Sequence, residues 1–322
     1  MENQPKLLIT EPDGFPADAE ARLSEHFLVQ KLASADALAD AAADAVGLLI
    51  RLHHRIDADL LARTTQLRFV ATSTTGLTHI DLEAAQRRDI AILSLKGEEA
   101  FLRSIHSTAE LAWGLAISLM RHIPPAAASV NRGEWDRYRF LGREMRGRRL
   151  GIVGYGRLGE IMGRYGLAFG MSVWANDIRD QPLPDGIERK TLADIFASCD
   201  IISIHLPATG ETRGLIGKDL LGRMLPDAIL INTARGDVVD EAALAHLIEQ
   251  RRIGGVGLDV LNEETGGQQE ASRRLRAQAE AGYPVLITPH IGGATDAMPR
   301  AEAFMADKAI AWWRSAQNMV GG

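Results

Sequence analysis

Five short clusters of residues with chemical capability share one setting: each directly follows a run of aliphatic residues. Gly154-Tyr155-Gly156-Arg157-Leu158-Gly159 comes after Leu150-Gly151-Ile152-Val153, and Asp177 closes Ser172-Val173-Trp174-Ala175-Asn176. His205-Leu206-Pro207 follows Ile201-Ile202-Ser203-Ile204, and Thr233-Ala234-Arg235-Gly236 follows Ile229-Leu230-Ile231-Asn232. Pro289-His290-Ile291-Gly292-Gly293 follows Val285-Leu286-Ile287-Thr288. The three glycines at 154, 156 and 159 have the spacing that lets a backbone turn tightly, approach a pyrophosphate and enter a helix whose N-terminus faces the phosphates. An acid at the end of the next strand accepts from ribose hydroxyls and repels a 2′-phosphate, so Asp177 favours NAD over NADP, with Arg179 as the nearby residue that opposes this. Arg235 offers a planar fork for a carboxylate, unless it pairs with Asp237 or Asp240. His290 is the natural proton carrier, and Glu263, Glu264 and Asp259 are the candidate carboxylates to favour its imidazolium form.

These clusters gather at one edge only if the aliphatic runs are parallel strands, because ligands of open α/β sheets bind outside the carboxyl ends of the strands. The pattern of Leu150 to His290 supplies such a strand–helix series. The first hundred residues supply another, with strands expected at 6–10, 27–31, 45–51, 67–71 and 90–94 and helices at 16–25, 35–43, 57–63 and 81–87. Arg51 and the loop Thr72-Ser73-Thr74-Thr75-Gly76 end strands of this first series. The Gly76 loop suits backbone amides turned to an anion. Arg51 is either a second anion contact, for a further anionic or strongly polar group on the substrate, or part of the exposed basic turn with His53, His54 and Arg55. Ser107 and Glu110 have capping-box spacing at the start of a long helix to about Arg121. Pro299 to Ala316 reads as a final helix. The polar stretch after Gly266-Gly267, Gln268 to Ala281, reads as a helical insertion over the cleft.

Composition narrows the classes further. A chain of 322 residues has room for two domains, and 46% hydrophobic with 24% charged residues is that of a soluble globular protein. A formal charge of −6 gives no basic footprint for nucleic acid or an anionic membrane. One cysteine, Cys199, placed just before a strand, reads as a buried structural thiol and fits a reducing compartment. The N-terminus has no signal pattern, and no apolar stretch is long enough to span a bilayer, so a cytoplasmic location is expected. No cluster has metal-ligand spacing and no G-x-S-x-G nucleophile occurs.

With these residues in view, the chain resembles the D-isomer-specific 2-hydroxyacid dehydrogenases over nearly its whole length. The matching stretches are Ser107-Thr108-Ala109-Glu110, Gly147 to Gly159 with Asp177, Ile231 to Gly236, Gly257-Leu258-Asp259-Val260, and Thr288 to Gly293. The resemblance implies a Rossmann-type, doubly wound cofactor domain at 104–295. It also implies a smaller flavodoxin-like substrate domain at 1–103 and 296–322, and a homodimer formed mainly through the cofactor domains, using the helix from Ser107 and the arm at Arg132-Gly133-Glu134-Trp135. It places the catalytic residues at Arg235, Glu264 and His290. NAD contacts fall on Gly154, Gly156, Arg157, Leu158, Gly159, Asp177, His205, Pro207, Thr212, Thr233, Ala234, Asp259, Gly292 and Gly293. Substrate contacts fall on Arg51, Thr75 and Gly76, with no metal.

Members with formate as substrate carry glutamine in place of the glutamate, and phosphite dehydrogenases carry lysine where this chain has Thr75, so both resemble it less. Arg51 matches an arginine that phosphoglycerate dehydrogenases use near the substrate phosphate. Thr265 stands where the family usually has proline after the glutamate, and His79 where it usually has asparagine. The expectation is an NAD-dependent exchange between a D-2-hydroxy acid and its 2-oxo acid; the alternative is an NAD(H)-sensing, corepressor-like protein on the same fold.

Overall fold

A computed structural model describes residues 4–32, 38–264 and 269–320, with side chains to residue 318. The chain divides into two compact units, residues 1–105 with 296–322, and residues 106–295. Both are α/β layers built on wholly parallel sheets.

In the smaller unit the strands are β1 (Lys6–Ile9), β2 (Leu28–Lys31), β3 (Gly47–Ile50), β4 (Phe69–Thr72) and β5 (Ala91–Leu93), in the order β2-β1-β3-β4-β5. Aliphatic residues on the two faces of these strands feed two core layers. One gathers Leu8, Leu48, Ile50 and Val70, the other Leu7, Ile9, Leu49 and Phe69. The helix Ala297–Val320 completes the second layer with Ala301, Met305, Ala306, Ala309 and Ile310. Its Trp312 and Trp313 rings lie 5.2 Å from Phe69 and 5.4 Å from Phe27. Burying aromatic rings of this size contributes about 1.5–3 kcal/mol each. The helix expected at 35–43 is present as Leu38–Ala42, and residues 35–37 lie outside the described residues.

In the larger unit the strands are β6 (Arg149–Val153), β7 (Ser172–Asn176), β8 (Ile187–Arg189), β9 (Ile201–Ile204), β10 (Ile229–Asn232), β11 (Gly255–Leu258) and β12 (Val285–Ile287). They run in the order β12-β11-β10-β9-β6-β7-β8. Alternate residues again face opposite layers: Ile229 and Ile231 one way, Leu230 the other. The order reverses between β6 and β9, the switch point at which doubly wound sheets open a ligand crevice. The helix Ser107–Met120 lies on β10 and β11. Gly257 permits this approach, since a Cβ there would stand 3.0 Å from Leu115 Cβ.

Two expectations are corrected, and two strands are added. Ser107 and Glu110 form no capping box: His106 is the N-cap without a side-chain bond, and the Ser107 hydroxyl instead meets Thr295 Oγ1 at 2.8 Å. A full capping box exists at Thr191 and Asp194. The polar stretch is not an insertion over a cleft. Residues 265–268, which include Gly266-Gly267, lie outside the described residues. Glu270–Glu280 is an ordinary crossover helix that buries Leu275 in the core, while Ser272 donates to Glu241 Oε2 at 2.6 Å and Gln278 Nε2 to the Ala245 carbonyl at 2.8 Å. Its polarity misleads because one narrow stripe does the packing. Finally, β8 and β11 are strands that the sequence pattern does not announce: Ile-Glu-Arg has one apolar residue, and Gly-Val-Gly-Leu is masked by the glycines that close packing demands.

Candidate active site

All five clusters of the larger unit emerge at the carboxyl edge of its sheet. At the switch point, the turn after β6 runs against the end of β9. A Cβ on Gly154 would lie 2.8 Å from the His205 carbonyl oxygen, and one on Gly159 would lie 2.3 Å from the Gly154 carbonyl oxygen. Positions 154 and 159 therefore have no room for a side chain, and Gly154 has a φ of +92°. Arg157 and Leu158 form the first turn of the helix Arg157–Ala168, whose N-cap Gly156 supplies no side-chain cap. Such an uncapped first turn is a place for phosphate. Thr233 Oγ1, at the end of β10, is buried with no hydrogen-bond partner among the described residues, a position suited to a bound ligand. The edge fits a dinucleotide on these grounds.

Asp177 is engaged on both oxygens. Oδ2 accepts from the Tyr155 amide at 2.8 Å and from Arg179 Nη2 at 3.1 Å; Oδ1 accepts from the Arg179 amide at 2.9 Å and Nε at 3.0 Å. The Arg179 hydrogen bonds hold the Asp177 carboxyl below its ordinary range. Arg179, then, sits directly on the acid. His205 turns both ring nitrogens inward: Nε2 is 2.8 Å from Ser203 Oγ and Nδ1 is buried without a partner among the described residues. Burial pushes it down to about 4, so it is neutral. Thr212 Oγ1 donates to the Pro207 carbonyl at 2.6 Å and holds that loop.

Arg235 has neither Asp237 nor Asp240 as a partner. Asp237 pairs with Arg213 at 3.2 Å, and Asp240 caps the helix Glu241–Glu249. The Arg235 guanidinium donates from Nη1 to the Ala234 carbonyl at 2.6 Å. Its backbone is fixed by Asn232, buried at the end of β10. Asn232 Nδ2 donates to the Arg235 carbonyl at 2.9 Å and Oδ1 accepts from the Ala234 amide at 3.0 Å. A Cβ on Gly236 would lie 2.1 Å from the Leu261 carbonyl carbon, so Gly236 seats the turn against the backbone of Leu261 and Asn262. Sequence reasoning passes over Asn232 as a positioning residue; the signal for it is a polar residue ending an otherwise aliphatic strand.

His290 Nδ1 lies 2.7 Å from Glu264 Oε2. A carboxylate accepts, so Nδ1 carries the proton and Nε2 is left for other chemistry. Glu263 is engaged elsewhere, through the Gln269 amide and, by its carbonyl, Arg276 Nη2 at 3.1 Å. Asp259 does not partner the imidazole, and both oxygens of its carboxylate are engaged within the larger unit. Oδ1 accepts from Thr288 Oγ1 at 2.6 Å and the Ile291 amide at 2.8 Å, and Oδ2 from the Gly292 amide at 2.7 Å. It ties down the loop that holds His290, whose φ of 55° is left-handed. Gly292 belongs to the same brace, its carbonyl accepting from Thr108 Oγ1 at 3.1 Å, while Gly293 is exposed. Among the described residues no group of three or more His, Cys, Asp or Glu could hold a metal ion. Cys199 is buried, and burial pushes its thiol up to about 12.

At the edge of the smaller sheet, the Thr75 and Gly76 amides make no hydrogen bond among the described residues, and Thr74 Oγ1 braces the loop through the Gly76 carbonyl at 2.8 Å. Arg51 departs from expectation. Its Nε is paired with Glu302, its Nη2 donates to the Asp13 carbonyl at 2.8 Å, and its amide donates to Glu11 Oε2 at 3.0 Å. Neither an exposed basic turn nor an unengaged anion contact describes it.

Residues 113–292 match the model of the family described as D-isomer specific 2-hydroxyacid dehydrogenase, NAD binding domain. A hydroxypyruvate reductase from Thermotoga maritima is 33% identical over 248 residues, covering 77% of this chain and 78% of that protein. The chain belongs to the D-isomer specific 2-hydroxyacid dehydrogenases. This family member is also similar to a D-3-phosphoglycerate dehydrogenase from Mycobacterium bovis, 37% identical over 276 residues, which make up 84% of this chain and 50% of that protein. The chain thus spans about half the length of the phosphoglycerate dehydrogenases it matches. A D-lactate dehydrogenase from Aquifex aeolicus, solved with NAD and lactic acid, shares the fold with a TM-score of 0.83 at 24% identity over 98% of both chains. The TT0316 protein from Thermus thermophilus has a TM-score of 0.79 at 32% identity over 94% of both. The residues of this dehydrogenase-family chain that match the NAD-binding domain model all lie within its larger unit.

Proposed function

We propose that the protein is an NAD-dependent oxidoreductase that interconverts a D-2-hydroxy acid and its 2-oxo acid. The observation that carries this is the His290–Glu264 pair, with Nε2 left over, at the same sheet edge as the glycine turn and Arg235. The smaller unit is the substrate domain, and its Thr75 and Gly76 amides suit an anionic group. Arg235 supplies the fork that holds the carboxylate and polarises the carbonyl, without an acidic partner among the described residues to neutralise it. His290 delivers a proton to the carbonyl oxygen in reduction and takes it back in oxidation. Glu264 keeps the ring oriented and stabilises the charge it acquires. The bound nicotinamide supplies or accepts the hydride. No observation favours the corepressor-like alternative.

The arm after the helix Ile123–Asn131 supports a homodimer through the larger unit. Trp135 is 88% exposed, and Tyr138 and Leu141 are exposed beside it, an unusual density of bare apolar surface. The helix Ser107–Met120, by contrast, buries most of its apolar side chains against its own sheet. The lone buried thiol suits a cytoplasmic protein, and no helix among the described residues is long and apolar enough to cross a membrane.

The test is oxidation of NADH with a panel of 2-oxo acids. Turnover with at least one is expected, and His290→Asn should lower it by about 10²–10⁴-fold, the scale of a positioned acid–base group. NADH binding without turnover of any acid would overturn the proposal.

A further inference from the structure

The carboxyl edge of the smaller sheet holds a site of its own. In the order β2-β1-β3-β4-β5 the connections part between β1 and β3, which is where sheets of this order bind ligands. At that point Glu11 follows β1 and Arg51 follows β3, and a hollow is lined by Glu11, Phe15, Arg51, Ser73, Glu302 and Met305. Its free volume is about 10 Å³, room for one water-sized group.

The charges in this hollow are unusual. Glu302 comes from the final helix and its side chain is only 4% exposed. One of its oxygens is paired with Arg51 Nε, while the other, Oε2, is buried with no hydrogen-bond partner among the described residues. Burial is the main cause that pushes the Glu302 carboxyl above its ordinary range, against the pull of Arg51. Glu11 adds a second carboxylate, fixed by the Arg51 and His53 amides, each at 3.0 Å. One acid, Glu302, thus pairs with a guanidinium whose Nε and Nη2 are already engaged, and a second, Glu11, sits on the backbone amide of the same arginine. A phosphate brought here would meet an arginine already paired, with a second carboxylate lining the same hollow, in a space too small for its oxygens. A hydroxyl would fit the space and satisfy Oε2, and because it both donates and accepts it does so whichever protonation state Glu302 holds.

We propose that this hollow receives a hydroxyl or similar small neutral donor at the distal end of the substrate, and turns away a phosphate or second carboxylate. The proposal rests on the reading of the smaller unit as the substrate domain, and makes the unphosphorylated hydroxy acids the substrate class. Glu302 acts as the selecting residue by masking Arg51.

Binding tests it without depending on turnover. D-Glycerate and its 3-phosphate ester are titrated into the full chain with NADH present, so that no reaction occurs, and the heat of binding is followed. D-Glycerate is expected to bind at least about tenfold more tightly than the phosphate ester, the scale of one charge-assisted contact. Glu302→Gln, which keeps the shape and removes the charge, is expected to shrink that ratio by about tenfold or more. Equal or tighter binding of the ester by the unaltered chain overturns the proposal whether or not the variant folds. So does a ratio that Glu302→Gln leaves unchanged, and so does failure of both acids to bind, which would leave the hollow to a water molecule. If the binding ratio holds while no 2-oxo acid is reduced with NADH, the proposed reaction fails and the selecting hollow stands.

Discussion

Arg235 and Arg51 occupy equivalent places, each one to three residues past an aliphatic strand at the carboxyl edge of a parallel sheet, yet the fold treats them in opposite ways. Around Arg235 the polar neighbours grip the backbone. Asn232 bonds the Ala234 amide and the Arg235 carbonyl, and among the described residues the guanidinium itself bonds just the adjacent carbonyl. Around Arg51 the neighbours grip the side chain, with Glu302 on Nε and the Asp13 carbonyl on Nη2. A charge whose backbone is held and whose head is unengaged is available to a ligand. One whose head is paired inside the protein is committed to its partner, which would be left as an uncompensated buried charge without it.

The sharpest way to break this contrast is to remove each arginine and measure stability and turnover together. Arg51→Ala leaves the buried Glu302 carboxylate without its cation, a change that typically costs about 3–5 kcal/mol. Adding Glu302→Leu to it should recover much of that loss, because the orphaned charge is then gone. Arg235→Ala should change the unfolding free energy by less than about 1 kcal/mol, since only one backbone bond disappears. Its cost should fall on turnover instead, by about 10²–10³-fold, the range seen when a donor to a developing oxyanion is deleted. Chemical denaturation and steady-state kinetics on the two variants read both effects. A stable Arg51→Ala protein, or an unstable Arg235→Ala one, would show that position at a strand end and not partnership decides.

The same contrast explains what could be read along the chain. Aliphatic runs flanked by glycine and polar residues marked ten of the strands, because a strand covered on both faces by helices must be apolar on both sides. The ends of those runs located Gly154, Asp177, Arg235 and His290, since each stands within three residues of the strand that carries it to the edge. Glu264 was reached through its spacing from Asp259 in the family pattern, and the structure puts it on His290. What escaped was set by contacts between residues far apart in sequence. Glu302 meets Arg51 across most of the chain, Asp259 closes on the loop of Ile291 and Gly292, and Thr295 takes the Ser107 hydroxyl away from a capping box. Glycine hid β11 for a related reason, because Gly257 exists to admit the helix Ser107–Met120.

A weaker effect separates the two edges by acid. His205 belongs to the larger unit, and its burial depresses it to about 4 from an ordinary value of 6.5. The unfolded chain takes up this proton first as pH falls, so stability contributed by neutral His205 is complete above about 6.5 and is lost on acidification towards about 4. The slope is at most about 1.4 kcal/mol per pH unit, roughly 2–3 kcal/mol across that window. His205→Gln, which retains a partner for Ser203, should flatten unfolding free energy against pH in this interval. An unchanged slope would mean that the ring is charged, or that it is reached by solvent, in the folded protein.

The smallest expected effect concerns a third arginine, intermediate between the other two. Arg179 pairs with Asp177 as Arg51 pairs with Glu302, but its side chain is 56% exposed even though that of Asp177 is largely buried, so the guanidinium is open to solvent and can turn to another anion. Asp177 alone would exclude a 2′-phosphate by like-charge repulsion, whereas Arg179 lying on it supplies a cation where that phosphate would sit. The two should leave the domain preferring NADH by a modest margin. Arg179→Ala removes the cation and should widen the preference for NADH over NADPH by about two- to fivefold, the range of an exposed ion pair. Asp177→Ala should narrow it by a similar factor or more. Dissociation constants from the fluorescence of the two reduced cofactors decide the matter. If NADPH binding is untouched by Arg179→Ala, the guanidinium serves only to brace Asp177 and the Tyr155 turn, and Arg179 then belongs with Arg51 among the arginines that the fold keeps for itself.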